Sequence, residues 1–223
     1  MSRHLYIQIE RLKKQILKLG AMVEESVGAA IDAVRRLDVK LAQQVIDRDS
    51  RIDEMEIEVE EECLHTLALH QPVAQDLRYV VSVLKMNNDL ERIGDLSVSL
   101  AERVQFLAAA RIDDLPFDLD TMADRVQTML KNALDALVNV DPQLAQSVLD
   151  TDDVVDDIHR QMYREVERRV RGGIDNVEPL LHAVAVSRGL ERIADHATNI
   201  AEDVVYLAKG DIVRHGHSGK TQA

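Results

Sequence analysis

Apolar residues recur at alternating spacings of four and three along the first 37 residues of the chain. This spacing places them on one stripe of a helix, and it predicts a long helix that packs lengthwise against neighbouring helices. The stripe consists of Leu5, Ile9, Leu12, Ile16, Leu19, Val23, Ser26, Ala30, Ala33 and Leu37. Similar patterns and their breaks predict five further helices, over about 38–69, 73–110, 119–140, 142–171 and 178–209.

Two copies of one short motif lie 100 residues apart. Residues 90–95 read Leu-Glu-Arg-Ile-Gly-Asp, and residues 190–195 read Leu-Glu-Arg-Ile-Ala-Asp. A second match relates residues 45–53 to residues 148–156. Because repetition at a regular spacing indicates repeated architecture, we predict an all-α fold. It is a tandem repeat of two three-helix bundles, each with its own aliphatic core.

An aperiodic stretch around Pro116 separates the two predicted bundles. It is the least helix-like internal segment and therefore the natural boundary. We predict a first bundle over residues 1–111 and a second over residues 118–210. Residues 211–223 are rich in Gly, His and polar side chains, and we expect them to form a mobile tail.

Composition narrows the class of protein. Two Phe and no Trp among 223 residues favour aliphatic helix packing over sheets. The net charge of −13 opposes nucleic-acid binding, because that binding relies on Lys and Arg neutralising phosphates. The single Cys63 excludes an internal disulfide framework, and neither a targeting segment nor an apolar run of membrane length is evident. We therefore expect a cytoplasmic protein.

Each half also carries two pairs of carboxylates at a spacing of four residues. The pairs are Asp49/Asp53, Glu91/Asp95, Asp152/Asp156 and Glu191/Asp195. Residues four apart share one face of a helix. Counting back from the helix–helix turns at about 1.5 Å per residue places the two first-half pairs level, and the second-half pairs within about 5 Å of level. Each half is therefore predicted to gather four carboxylates.

A single acidic pair is more often a solvated helix face than a ligand set. Arg92 and Arg192 follow the glutamates directly and could serve as ordinary ion-pair partners. Four pairs, level in twos and duplicated, favour a cation site instead. Oxygen ligands suit hard cations, whereas zinc prefers some nitrogen or sulfur.

The motifs resemble the PhoU family of phosphate-signalling regulators. The resemblance is carried by Val45-Ile46-Asp47 with Asp49, by Gln71-Pro72-Val73-Ala74 with Asp76-Leu77-Arg78, and by the doubled Leu-Glu-Arg-Ile-(Gly/Ala)-Asp. It implies a cytoplasmic regulator, not an enzyme, tied to the ATPase of the high-affinity phosphate ABC transporter. It also implies a sensor histidine kinase as partner, which the regulator holds in check when phosphate is plentiful. Contact with the membrane would be through partners only, and a homodimer is left open.

The resemblance further implies metal ions, in some relatives multinuclear iron or zinc clusters, at the same eight carboxylates. Glu56 and the equivalent His159 are additional candidate ligands, and an imidazole would tilt the second site toward zinc or iron. Asn199 is another candidate, and Ser99 stands at its position in the first half. The first site is therefore expected to be weaker or smaller. Iron, zinc, magnesium and manganese all stay open.

Two other functions compete with this interpretation. Glu62-Cys63-Leu64-His65 supplies one Glu-x-x-His element, which a carboxylate-bridged di-metal oxidase or iron-storage bundle needs twice. The other competing function is that of a purely structural helical scaffold, which would bind no metal.

Overall fold

The computed structural model describes residues 3–110, 114–173 and 176–209. Over these residues the chain forms six helices and no strand. The helices are α1 Arg3–Arg36, α2 Val39–His70, α3 Ala74–Ala110, α4 Leu119–Asn139, α5 Pro142–Arg171 and α6 Glu178–Lys209. The predicted all-α architecture of long helices is confirmed, with bounds within a residue or two of those expected. The predicted tail, residues 211–223, lies outside the described residues.

The same tight turn connects the first two helices of each half. Leu37 and Val140 both adopt a left-handed backbone, with φ of 51° and 49°. Asp38 and Asp141 follow them and cap α2 and α5 by accepting hydrogen bonds from two backbone N–H groups each. These equivalent turns lie 103 residues apart, since 141 − 38 = 103. This spacing aligns α1 and α2 with α4 and α5, position by position.

The predicted stripe on α1 is buried along most of its length, although Ser26 and Leu37 are only half-buried. However, α1 also buries a second set of residues beside the stripe, including Val27, Ile31 and Val34. This second set makes α1 apolar on more than the face used by its own bundle.

The buried residues of both halves form one continuous cluster. Helix α3 packs against α6, and α1 packs against α4, in addition to the contacts within each bundle. The expectation of two separate cores is therefore wrong. The reason is that helices at the centre bury two apolar faces, and the second face finds its partner only in the other half. No helix in the described part of the chain is both long and apolar enough to span a membrane.

Glycine permits close approach at both contacts between the halves. A Cβ atom placed on Gly20 of α1 would lie 2.7 Å from Cδ2 of Leu134 on α4. A Cβ atom on Gly189 of α6 would lie 2.9 Å from Cδ2 of Leu100 on α3. Both positions are helical and buried, so a side chain there would force the facing leucine or its helix to shift.

We therefore predict that Gly20→Val or Gly189→Val lowers the free energy of unfolding by about 1–3 kcal/mol, the usual cost of overpacking. Gly28→Ala is the matched control, because its added Cβ would have 3.5 Å to the nearest atom, Nε2 of Gln127. That change should raise stability by about 0.5–1 kcal/mol, as alanine favours helix. Urea unfolding monitored by circular dichroism measures all three. Unchanged midpoints for both valine variants would contradict tight packing between the halves.

Candidate metal centre

The first group of carboxylates forms where α2 and α3 run side by side. Asp49 and Asp53 come from α2, and Glu91 and Asp95 come from α3. Burial, followed by the negative charges of Asp53, Asp95 and Glu91, raises the pKa of Asp49 to about 6. The pKa of Glu91 is also raised, first by burial and then by Asp95. The structure thus brings the two pairs together, as the level count predicts.

The second group repeats this arrangement between α5 and α6, with Asp152 and Asp156 facing Glu191 and Asp195. Burial raises the pKa of Asp152 to about 6, with Asp156 and then Asp195 as the next causes. Burial likewise raises the pKa of Asp195 to about 6, and Glu191 and Asp156 add to the effect. In both groups, the crowded carboxylates therefore disfavour one another's ionisation.

Arginines compensate only part of this charge. Arg92 lies 3.4 Å from Glu91 and 3.5 Å from Asp95, and Arg160 lies 3.7 Å from Asp156. Both arginines are largely exposed, and such pairs contribute little. Within the described ranges, five of the eight carboxylates have no ion pair. These five are Asp49, Asp53, Asp152, Glu191 and Asp195.

Two buried oxygen atoms of the first group have no hydrogen-bond partner, Oδ1 of Asp49 and Oδ1 of Asn87. Asn87 lies one turn before Glu91 on α3, and its amide nitrogen donates to Oε1 of Glu56 at 2.8 Å. Sequence reasoning missed Asn87, although its spacing of four from Glu91 was a usable signal. The possible metal ligands of the first group are therefore all oxygen atoms, which suit a hard cation.

The groups are gathered but do not converge on a point. In the part of the chain that the structure describes, no three His, Cys, Asp or Glu side chains are arranged to hold one metal ion. An ion would therefore require these side chains to change rotamer. The orphaned oxygen of Asp49 and the unpaired carboxylates fit a cation, and the backbone already places them on facing helices.

His159 occupies the position in the second half that Glu56 occupies in the first. Its Nδ1 lies 2.9 Å from Oγ of Ser187, and its ring meets Tyr163 edge to face. Burial lowers the pKa of His159, which favours the neutral imidazole that binds metals. The pair Glu56–Asn87 is thus replaced by His159–Ser187, so the two groups differ in chemistry beside their shared carboxylates.

Asn199 points to the other half instead. Its amide nitrogen donates to Oδ1 of Asp89 on α3 at 3.2 Å, and Nδ1 of His196 lies 2.8 Å from the same oxygen. The role of Asn199 as a ligand stays a prediction. His196 also acts to lower the pKa of both Glu91 and Asp195, so its ring lies near a carboxylate of each group. Sequence reasoning missed the Asp89–His196 contact, because its partners are 107 residues apart.

The Glu-x-x-His element at residues 62–65 makes contacts that do not form a metal site. Glu62 is buried and lies 3.1 Å from Nη1 of Arg11, whereas His65 is exposed. Burial raises the pKa of Cys63 to about 12, which leaves an unreactive thiol. These contacts give no support to a di-metal oxidase centre at this position.

The family model of the PhoU domain matches residues 16–104 and again residues 119–204. Together these two matches cover most of the chain. The chain belongs to the PhoU family. The doubled PhoU domain agrees with the tandem of two three-helix bundles, and each match contains one of the two carboxylate groups.

Named relatives match nearly the full length of the chain. A PhoU homologue from Aquifex aeolicus is 36% identical over 213 residues, covering 96% of each chain. One from Pseudomonas aeruginosa is 37% identical over 216 residues, covering 96% of this chain and 89% of the relative. Both are named phosphate-specific transport system accessory proteins.

Two solved PhoU structures share the fold. The crystal structure of PhoU from Pseudomonas aeruginosa matches with a TM-score of 0.88 at 36% identity, covering 92% of this chain and 99% of that one. The phosphate transport system regulatory protein PhoU from Streptococcus pneumoniae matches with a TM-score of 0.87 at 27% identity, covering 95% and 100%.

Crowding of carboxylates predicts an unusual pH dependence for the metal-free protein. The pKa values of Asp49, Asp152 and Asp195 are about 6 in the folded chain and about 3.9 in an unfolded chain. The folded state therefore binds protons more tightly, and the penalty is fully present above about pH 6 and fades as the pH falls toward about 4. Asp49→Asn and Asp152→Asn should each be more stable than the parent at neutral pH.

Urea unfolding in the presence of a chelator, from about pH 4 to about pH 8, measures this. The stability advantage of each asparagine variant should shrink as the pH falls. Asp47→Asn, which changes an exposed aspartate on α2, is the control and should show no such advantage. An advantage that grows toward acid pH would contradict the assigned crowding.

Proposed function

We propose that this chain is an accessory protein of a phosphate-specific transport system and regulates phosphate uptake without catalysing a reaction. The observation that carries the proposal is the PhoU domain, which occurs twice and covers most of the chain. The names of the relatives as accessory proteins of phosphate transport support the same role.

We further propose that the chain acts in the cytoplasm as an adaptor. One partner is the ATPase of the high-affinity phosphate ABC transporter, and the other is a sensor histidine kinase that the chain restrains when phosphate is plentiful. Contact with the membrane would then be made through these partners. Support for the adaptor role comes from membership of the PhoU family and from relatives that are named as transport-system accessory proteins.

Each half is proposed to hold one or more metal ions between its two acidic helices. Support comes from the five carboxylates without an ion pair and from the buried, unpartnered Oδ1 of Asp49. A bound cation would supply the positive charge that the groups lack, joining α2 to α3 and α5 to α6. The first group, with Glu56 and Asn87, suits a hard ion such as magnesium, manganese or ferric iron. The second, with His159, favours zinc or iron.

Single carboxylate-to-amide changes test the two sites separately. Asp95→Asn and Asp195→Asn remove one negative charge each at nearly constant shape, so each should lower the metal bound per chain by the share of its own half. The double variant should lose the sum of the two. Elemental analysis of protein purified without a His tag measures the content.

Asp47→Asn and Asp157→Asn are the matched controls for that measurement. Both change exposed aspartates on α2 and α5, the helices that face α3 and α6 across the acidic groups, and Asp157 is paired with Arg160 at 2.6 Å. They should retain the full metal content. Loss of the metal of both halves in Asp95→Asn alone, or in Asp195→Asn alone, would contradict independent sites. Metal-free protein from every preparation would favour the structural scaffold.

The adaptor role predicts direct binding to both partners. The purified chain should form a complex with the ATPase of the phosphate transporter, and separately with the cytoplasmic part of the kinase, in size-exclusion chromatography. The ATPase of an unrelated ABC transporter is the control. Deletion of the gene should raise phosphate-starvation signalling in phosphate-rich medium. Binding to neither partner would contradict the adaptor role, and continuous oxygen consumption with ferrous iron would favour the oxidase.

A further inference from the structure

A groove of about 240 Å³ lies between α1 and α2 in the first half of the repeat. Half of its lining residues are aliphatic or methionine, and the other half are polar or charged. The lining includes Met22, Ser26, Leu41, Val45, Arg48 and Arg51. Met22, Ser26 and Leu41 are only half-buried, and Arg48 and Arg51 are exposed, so the groove is open to solvent.

Two guanidinium groups line this groove, and neither is strongly committed elsewhere. Nη1 of Arg48 lies 3.1 Å from Oε1 of Glu25, which also lines the groove. Both side chains are more than half exposed, so the pair is weak, and an anion that binds Arg48 would take the place of Glu25. Arg51 has no ion pair within the described residues. Such groups are available for charge-assisted hydrogen bonds to a carboxylate or phosphate.

The second half provides an internal comparison through the spacing of 103 set by the two capped turns. Ser26 is replaced there by Met129, which is buried. Arg48 and Arg51 are replaced by Thr151 and Val154. The fold therefore needs neither the space nor the charges of the groove, because the same pair of helices packs without them. The groove is a feature that the first half has in addition to its shared architecture.

We propose that this groove binds a small amphipathic organic anion, with its carboxylate or phosphate group on Arg48 and Arg51 and its short apolar body over Met22, Leu41 and Val45. Burial of the apolar body supplies non-directional affinity, while the guanidinium groups select for negative charge. The volume of 240 Å³ equals roughly eight water volumes of about 30 Å³ each. This limits the body to about eight non-hydrogen atoms.

Octanoate is the probe of matching size, and isothermal titration calorimetry of the full-length chain measures its binding. Octanol tests the need for charge, acetate tests the need for the apolar body, and octyl phosphate tests whether a phosphate group is accepted in place of a carboxylate. Octanoate should bind at least about tenfold more tightly than octanol, the ratio that one charge-assisted hydrogen bond supports. Acetate should show no binding. Equal binding of octanoate and octanol, or none of either, would overturn the proposal.

Two variants copy the second half into the first. Arg51→Val removes a surface guanidinium and should weaken octanoate about tenfold while leaving octanol unchanged. Ser26→Met fills the groove and should abolish binding of both. Arg125→Val, at an exposed arginine of α4 outside the groove, is the matched control and should bind like the parent. If Ser26→Met perturbs folding in circular dichroism, Arg51→Val alone decides. Unchanged octanoate affinity in Arg51→Val would overturn the proposal.

Discussion

The packing of α3 against α6 is the contact on which the rest of the structure depends. Each of these helices closes its own bundle and carries two carboxylates of its own acidic group. Gly189 lets the helices approach, since any side chain there would meet Leu100. Asp89 and His196 then tie them across the same seam. Because of this contact, the helices that carry the two acidic groups share one continuous hydrophobic core.

Charge imposes the opposing constraint. Each half concentrates carboxylates whose pKa is raised by burial and by one another, so the fully ionised, metal-free protein carries an electrostatic penalty. The long aliphatic seams of the bundles must offset that penalty. A cation would convert the same repulsion into attraction between the paired helices, which is why stability and metal content should be linked. Local conflicts of this kind are typical of functional sites.

The two halves keep the acidic pairs and differ around them. Glu56 with Asn87 in the first half becomes His159 with Ser187 in the second. Arg48 and Arg51, which line the groove of the first half, are replaced by Thr151 and Val154 in the second. The two copies of the repeat therefore share the helix arrangement and the acidic groups. Differences between its copies mark the positions where each half has acquired its own chemistry.

Local rules were enough for much of this protein. Helix periodicity and the spacing of four between paired carboxylates depend on neighbours within a turn or two. They could therefore be predicted, and the facing pairs followed from counting along antiparallel helices. The motif and its repeat were also sufficient to indicate the PhoU family.

Only the tertiary structure decided how distant helices meet. The single core, the orphaned oxygens of Asp49 and Asn87, the Asp89–His196 contact and the groove beside Ser26 all arise from packing between separate helices. A periodic pattern states that a face is apolar but not which partner covers it, and it carries no signal for one contact between residues 107 positions apart. Those features depend on the rotation and separation of packed helices, which are set by side-chain fit across the whole core.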